Sequence, residues 1–286
     1  MKRRTSPLLR RAGLSLLAAA ALAGGGIAAM WVVLPDPAPL ARKAPKTTAL
    51  IEQRRAEARA KKRALHVQRT WVSLERIPRH VRDAVILSED ARFFGHEGID
   101  WDATRAAAEH DLARGRLARG GSTITQQLAK NLWLGTERSL WRKAKEAVLA
   151  WKLERALSKP RILALYFNVV ELGNGVFGFE AGARARFGVG VSELSIAQGV
   201  VLASMLPAPR KADLQAPSTW LQRRSRRLLD RMVQAGRIDA DAHQAASAEL
   251  ERILAGPRPE ADEEEPPEEE PPEPMVELEA PAQDQG

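Results

Sequence analysis

Between Trp71 and Leu254 the chain alternates residues that start helices with residues that break them, and this pattern leaves little room for a sheet. Serine or aspartate, whose side chains cap helix N-termini, precedes several apolar-periodic segments, and glycine or proline interrupts them. No segment shows the sustained two-residue alternation that is typical of strands. The sequence therefore predicts a mainly α-helical domain at residues 71–256. The predicted helix starts are Asp100, Ser122, Ser139, Ser158, Ser192, Ser218 and Asp239.

The N-terminal residues predict a membrane anchor. Residues 1–11 contain five basic side chains and no acidic one, and residues 12–34 carry no charge. The uncharged segment is long enough to cross a hydrocarbon core of about 30 Å as a helix. Because flanking positive charge stays in the cytoplasm, we expect the following residues on the far side. A cleaved signal peptide is the alternative, since small residues at 21–26 resemble a cleavage site, but the apolar run continues to Trp31 and favours an anchor.

The segments that flank the helical domain differ in charge. Residues 35–70 combine a proline-spaced stem with a basic helical linker, which we expect to be solvated; attraction to anionic lipid is the alternative. Residues 257–286 contain twelve acidic side chains and many prolines, so this tail is predicted to be disordered. The whole chain carries a net charge of +8, so the rest is strongly basic and suits an anionic partner. The absence of cysteine excludes disulfides and thiolate metal sites.

The stretch at residues 84–98 contains a carboxylate in an unusual setting. If residues 79–91 are helical, Glu89 lies one turn after Val85 and Ile86 and on the same face. A carboxyl group held against apolar side chains loses hydration and becomes a stronger base. This predicts a general base, and the alternative is a solvated glutamate at a frayed helix end.

Two further stretches place polar side chains at helical spacing. Ser122, Gln126 and Lys130 form a polar stripe opposite an apolar one, which predicts either a surface that faces a ligand or an ordinary amphipathic helix facing water. Arg142 and Glu146 follow with the same spacing after Arg138. They are either a surface pair worth about 0.3 kcal/mol or part of a cation cluster that binds phosphate.

Taken together, these stretches resemble the monofunctional, membrane-anchored peptidoglycan glycosyltransferases of family 51, over residues 71–236. The resemblance rests on Glu-Asp-x-x-Phe-x-x-His-x-Gly at 89–98 and on Gly-Ser-Thr-Ile-Thr-Gln-Gln-Leu-x-Lys-Asn at 121–131. Arg-Lys-x-x-Glu at 142–146, a glycine-rich loop at 166–178 and a helix ending in Leu-Pro at 194–207 complete it. Several ordered motifs of this length are specific, whereas any one alone is weak.

The resemblance implies roles for individual residues. Glu89 matches the general base that takes a proton from the 4-hydroxyl of lipid II, and Glu146 matches a carboxylate near the pyrophosphate leaving group. Lys130 and Arg138 match residues that contact the pyrophosphate. The substrate-binding set is completed by Ser122, Gln126, Gln127, Asn131, Arg142, Phe93 and His96.

The same resemblance implies a lysozyme-like helical fold with a membrane-associated lobe, at the bacterial inner membrane and with the catalytic domain in the periplasm. The implied partners are lipid II, the growing glycan chain, membrane lipids and a cell-wall synthesis complex, without nucleic acid. An α-linked donor attacked from its opposite face gives a β-linked product, so the reaction inverts. A divalent cation, Mg²⁺ or Mn²⁺, at Glu146 is left open.

Two departures and two rival functions qualify the resemblance. Gln198 stands where the family usually has glutamate, and the loop after Asn168 has the monofunctional form. Neither Ser-x-x-Lys nor Lys-Thr-Gly occurs, so no transpeptidase activity is expected. The rivals are a lysozyme-like hydrolase or lytic transglycosylase, which needs a carboxylic acid to protonate a glycosidic oxygen, and a non-enzymatic, basic, membrane-anchored binding protein.

Overall fold

The computed structural model describes residues 7–114, 121–136 and 139–255, and it is mainly α-helical, as predicted. In these residues the sheet is one antiparallel hairpin of Glu171–Gly173 (β1) and Val176–Phe177 (β2). Lys130–Leu134 form a π-helical turn, and Phe93–Gly95 form a 3₁₀ turn. The helices are α1 Pro7–Val33, α2 Ala49–Ala60, α3 Arg79–Glu89, α4 Trp101–Arg114, α5 Ile124–Ala129, α6 Leu140–Ala156, α7 Lys159–Val169, α8 Phe179–Phe187, α9 Ile196–Met205, α10 Thr219–Gln234 and α11 Ala240–Ile253.

Most of the predicted helix starts are confirmed by side-chain caps. Ser139, Ser158, Ser218 and Asp239 each accept a hydrogen bond from the backbone N–H three residues later, and Asp100 accepts one from Ala103 N–H. These bonds satisfy N–H groups that a helix leaves free at its first turn.

Two predicted helix starts are wrong by one and three residues. The cap of α5 is Thr123 rather than Ser122, and the cap of α9 is Ser195 rather than Ser192. In each case the glutamine three residues later bonds back to the cap's N–H and completes a capping box. Gln198 is the glutamine of the second box, so neutral hydrogen bonds occupy the position where the family usually has glutamate.

The core brings α3 against α9 and α10, and α5 against α6 and α7. The apolar face of α3 includes Val81, Ala84 and Val85, all fully buried. Gly199 on α9 allows the close approach of α3, because a Cβ atom there would lie 2.9 Å from Val81 Cγ2. This packing fixes the C-terminal end of α3, where Glu89 lies.

The prediction that residues 35–70 form a solvated linker is wrong, because α2 is docked on the domain. Leu50 and Ile51 are buried against Phe177, and Arg54 makes a buried ion pair with Glu171 of β1 at 2.8 Å. Two apolar residues at the start of α2 are too few to predict that a helix with so many charged residues is docked. The basic side chains of α2 cover the remaining faces.

Three cationic side chains hold the proline-rich stem against the domain. Lys152 of α6 donates to the carbonyl oxygens of Trp31 and Leu34 at 2.9 and 2.7 Å. Arg161 of α7 donates to the carbonyl oxygens of Leu40 and Lys43. The guanidinium of Arg69 binds the carbonyl oxygen of Pro45.

Helix α1 occupies most of the predicted anchor segment. Among the helices that the structure describes, none combines the length and hydropathy that a membrane crossing requires. Residues 1–6 and the predicted disordered tail at 257–286 lie outside the described residues.

Replacing Gly199 with alanine tests the contact between α3 and α9. Glycine-to-alanine changes inside helices usually stabilise by about 1 kcal/mol. Here the added methyl group meets the stiff, branched side chain of Val81, and overpacking of this kind costs about 1–3 kcal/mol. We therefore expect a lower free energy of unfolding in denaturant titrations.

The double variant Val81→Ala, Gly199→Ala is the control for this prediction. Removing the two methyl groups of valine makes room for the new Cβ atom, so the two changes should cost less together than the sum of their separate effects. A more stable Gly199→Ala protein would contradict the close packing.

Candidate active site

Glu89, the last residue of α3, is partly buried, with 9% of its side chain exposed. Its Oε1 accepts hydrogen bonds from Ser88 Oγ at 3.0 Å and Arg224 Nη2 at 3.1 Å, and its Oε2 accepts one from Gln127 Nε2 at 2.9 Å. The side chain is thus largely removed from water, as predicted, and its contact with Val85 and Ile86 stays a prediction. Glu89 is therefore surrounded by groups that donate to a carboxylate.

Gln127 connects Glu89 to a buried tyrosine. The Tyr166 hydroxyl donates to Gln127 Oε1 at 3.0 Å, which orients the amide so that its NH₂ group faces Glu89. Burial raises the pKa of Tyr166 well above its usual value, and the charges of Glu89 and Asp90 act in the same direction. The tyrosine therefore stays a neutral donor at any physiological pH.

Arg224 is a site residue that sequence reasoning missed. It lies on α10, and its Nη2 also donates to Ser88 Oγ at 2.9 Å. The sequence places it in a run of arginines on an amphipathic helix, which is typical of a solvated face. Its position on the side of α10 that packs on α3 depends on the tertiary fold.

Phe93 and His96, which are predicted to bind substrate, make contacts within the protein, and their role in substrate binding stays a prediction. Phe93 is fully buried in the core, and Lys159 Nζ lies 4.5 Å from the centre of its ring. His96 Nε2 lies 2.9 Å from Asp90 Oδ1, and the other Asp90 oxygen accepts from Ile124 N–H at 3.0 Å. The pair ties the loop after Glu89 to the start of α5.

Asp90, His96 and Asp100 also have the spacing of a metal site. Their polar atoms already bond to the protein: Asp100 accepts from Arg92 Nε at 2.9 Å, and Gly98 N–H donates to His96 Nδ1 at 3.2 Å. A metal ion would have to break these bonds, so we assign the cluster to folding of the loop.

Lys130 opens the π-helical turn and is partly buried. Burial lowers the pKa of its ammonium below the usual value. The negative charges of Glu146 and Glu89 oppose this shift, whereas Arg142 and Lys143 reinforce it. The ammonium is therefore within electrostatic reach of both sides of the site.

Glu146 of α6 is buried and paired with two cations. Arg142 Nη1 and Lys143 Nζ each lie 2.5 Å from one of its carboxylate oxygens. Lys143 Nζ also donates to Ser122 Oγ at 2.9 Å. Both oxygens of Glu146 therefore bond to cations, and Glu146 is the carboxylate that could contact a Mg²⁺ or Mn²⁺ ion bound to the diphosphate, which stays a prediction.

The remaining predicted site residues are Gln126, Asn131 and Arg138. Gln126 is buried in the capping box of α5, so the predicted polar stripe from Ser122 to Lys130 is wrong: Ser122 precedes the helix and Gln126 faces inward. Asn131 is buried on the π-helical turn beside Lys130. Arg138 lies outside the described residues.

The protein is mainly helical, and its candidate site contains the carboxylate of Glu89 and a cluster of cations formed by Lys130, Arg142 and Lys143. A family model described as Transglycosylase matches residues 56–233. The chain therefore belongs to the transglycosylase family, and the resemblance found in the motifs is confirmed. The match begins inside α2, which agrees with the docking of that helix on the domain.

Three relatives show the extent of the similarity. A protein of Methylobacillus flagellatus is 50% identical over 162 residues, covering 57% of this chain and 71% of the relative. One of Nitrosospira multiformis is 44% identical over 191 residues, covering 67% and 83%. One of Chromobacterium violaceum is 48% identical over 162 residues, covering 57% and 71%. All three are named biosynthetic peptidoglycan transglycosylase.

We predict a lowered titration midpoint for Lys130. Its ammonium should lose its proton at a lower pH than exposed lysines, because burial lowers its pKa. Acylation rates of individual lysines, followed by mass spectrometry from neutral to alkaline pH, give the midpoint of each titration.

Two variants should move this midpoint in opposite directions. Glu146→Gln should lower it further, because it removes a charge that favours the ammonium, and Arg142→Gln should raise it, because it removes a repelling charge. A Lys130 midpoint equal to that of exposed lysines would contradict the described surroundings.

Proposed function

We propose that this member of the transglycosylase family is a monofunctional peptidoglycan glycosyltransferase that polymerises lipid II into linear β-1,4 glycan strands during cell-wall synthesis. The family match and the names of the relatives support the enzyme class. The observation that carries the mechanism is a partly buried glutamate held by three donors, with Lys130 in electrostatic reach of both Glu89 and Glu146.

Glu89 is proposed as the general base. Arg224 and Ser88 occupy Oε1, whereas Oε2 accepts only from Gln127, so a lone pair on Oε2 is available for the 4-hydroxyl of the acceptor sugar. The carboxylate takes the hydroxyl proton as the oxygen attacks the anomeric carbon of the growing chain. The bond from that carbon to the lipid diphosphate breaks, the diphosphate leaves with the electron pair, and the configuration inverts.

The cations around Glu146 are proposed to bind the departing diphosphate. A diphosphate needs positive charge rather than a strong proton donor, and charge-assisted bonds from Lys130, Arg142 and Lys143 would supply it. Glu146 keeps two of these cations in place, since each bonds to one of its oxygens. Arg138 keeps the role that the resemblance assigns to it, and no step requires a metal ion.

The rival hydrolase receives less support from the same contacts. A hydrolase needs a carboxylic acid that donates a proton to a glycosidic oxygen. All three groups that bond to Glu89 act as donors, so they complement a carboxylate that accepts. This favours the base role.

The proposal includes a membrane location, with α1 as an uncleaved inner-membrane anchor and the catalytic domain in the periplasm. Side chains on α1 such as Leu17, Leu22 and Val32 are exposed to an extent unusual for an apolar helix of a soluble domain. Phe94, Trp101, Leu140 and Trp141, at or near the starts of α4 and α6, are also exposed. Such residues suit contact with membrane lipid and the lipid tails of the substrate, and with a cell-wall synthesis complex.

Glu89→Gln tests the proposed base. An amide has no basic oxygen, so we expect polymerisation of purified lipid II to fall by about 10²–10⁴-fold, with an unchanged thermal midpoint. Glu97→Gln is the matched control, because Glu97 is an exposed glutamate on the loop that follows. Full activity of Glu89→Gln would remove the base role, and cleavage of finished glycan without polymerisation by the wild-type protein would favour the hydrolase.

Leu17→Lys combined with Leu22→Lys tests the anchor. A lysine near the centre of a membrane helix costs about 3 kcal/mol, so the double variant should leave the membrane fraction in high-salt washes while the wild type stays until detergent is added. Isoleucine at both positions is the control. Soluble wild-type protein, or a mature protein whose intact mass lacks the first segment, would contradict the anchor.

A further inference from the structure

Helix α2 packs directly against the π-helical turn that begins at Lys130. The proposed chemistry uses Lys130 but no residue of α2, so the purpose of this contact is unexplained. The residues at the contact are Gln53 on α2 and Gly135 and Thr136 just after the turn.

Gln53 binds Thr136 with both ends of its amide. Its Oε1 accepts from Thr136 N–H at 2.8 Å, and its Nε2 donates to Thr136 Oγ1 at 2.6 Å. The same Nε2 donates to Glu57 Oε1 at 3.0 Å, one turn along α2, which fixes the rotamer of the glutamine. The amide is therefore oriented before it contacts the turn.

Gly135 lets this contact close the turn. Its N–H donates to the carbonyl oxygen of Lys130 at 3.0 Å, and its φ of +69° is unfavourable for residues with a side chain. A Cβ atom there would lie 2.7 Å from Gln53 Oε1. Gln53 thus lies against the residue that ends the turn, and Lys130 is the residue that begins it.

A π-helical turn needs support of this kind. Such turns are rare and are found mostly at functional sites. Lys130 itself continues α5, because its backbone angles are α-helical and its N–H donates to the carbonyl oxygen of Gln126. Its own carbonyl oxygen accepts from Gly135 N–H across the widened turn. Relaxation towards an α-helix would break this last bond and release the backbone at Lys130 from the end of the turn. Contacts from outside the turn are what oppose that relaxation.

We propose that Gln53 is a positioning residue for donor binding, which holds the π-helical turn so that Lys130 faces the leaving diphosphate. The inference rests on the proposed function for its effect on turnover. It gives α2, the helix that follows the stem, a part in the chemistry, although the proposed chemistry uses no residue of α2 directly.

The experiment compares Gln53→Met with the wild type, using the full chain in detergent and purified lipid II. Methionine keeps the length and helix propensity of glutamine but makes neither hydrogen bond. We expect kcat/KM to fall about tenfold, mostly through kcat. A displaced Lys130 would no longer stabilise the negative charge that develops on the diphosphate as it leaves. The thermal midpoint should change little, since both bonds are solvent-exposed.

Two further variants separate positioning from stability. Thr136→Val removes one of the two bonds, so it should lower kcat/KM in the wild type and have no further effect in the Gln53→Met background. Arg54→Met breaks the ion pairs of α2 with Glu171 and Glu57 but removes neither hydrogen bond between Gln53 and Thr136. It should lower the thermal midpoint more than Gln53→Met does, and kcat/KM less.

Acylation of Lys130 provides a readout that does not depend on turnover. If the turn relaxes, Lys130 in Gln53→Met should react faster than in the wild type, relative to exposed lysines. Unchanged Lys130 reactivity, or an unchanged kcat/KM in a wild-type enzyme that polymerises lipid II, would overturn the inference and leave the proposed function intact. A wild-type enzyme that does not polymerise lipid II would overturn the proposed function, and Lys130 reactivity alone would then decide whether Gln53 holds the turn.

Discussion

The site depends on how a partly buried carboxylate is tolerated at the C-terminal end of a helix. Glu89 is the last residue of α3, where the helix dipole places partial negative charge and disfavours another negative group. Burial adds a desolvation cost. The guanidinium of Arg224, the Gln127 amide and the Ser88 hydroxyl offset both effects, and each comes from a different place in the chain. The packing of α3 on α9 and α10 is therefore a condition for the carboxylate, since it brings Arg224 within reach.

The cations of the site are held close to one another despite their mutual repulsion. Lys130, Arg142 and Lys143 repel one another, and Glu146 is the buried negative charge that holds two of them. Burial lowers the pKa of Lys130, and the charges of Arg142 and Lys143 act in the same direction, whereas Glu146 and Glu89 oppose them. An anion bound beside Lys130 would relieve this repulsion and favour the charged ammonium. The cluster is in this sense arranged for a ligand with more negative charge than Glu146 supplies.

The sequence predicted local features well and tertiary ones poorly. Caps such as Ser139 and Asp239 depend on a few neighbouring residues, so their positions could be predicted. The motifs brought Glu89, Glu146, Phe93, His96 and Gln126 to attention, but a motif does not say which of its residues are buried, and Phe93 and Gln126 are buried. Arg224 was missed, since nothing local separates an arginine that faces a carboxylate from one that faces water. The docking of α2 was missed for the same reason.

The proline-rich stem connects α1 to α2. Proline residues leave it with few N–H groups, and its 3₁₀ turn at Ala38–Ala41 satisfies only some of its carbonyl oxygens. Arg161 and Arg69 bind others, and Lys152 binds those of Trp31 and Leu34 just before the stem. Such charge-assisted bonds are stronger than neutral ones. The same continuous segment then enters α2, where Gln53 contacts the turn that begins at Lys130. A chain that merely tethered the domain to its N-terminal helix would need none of these contacts. Through these contacts the end of α1 and the stem are bonded to the domain, and α2 is bonded to the residue that follows the turn beginning at Lys130.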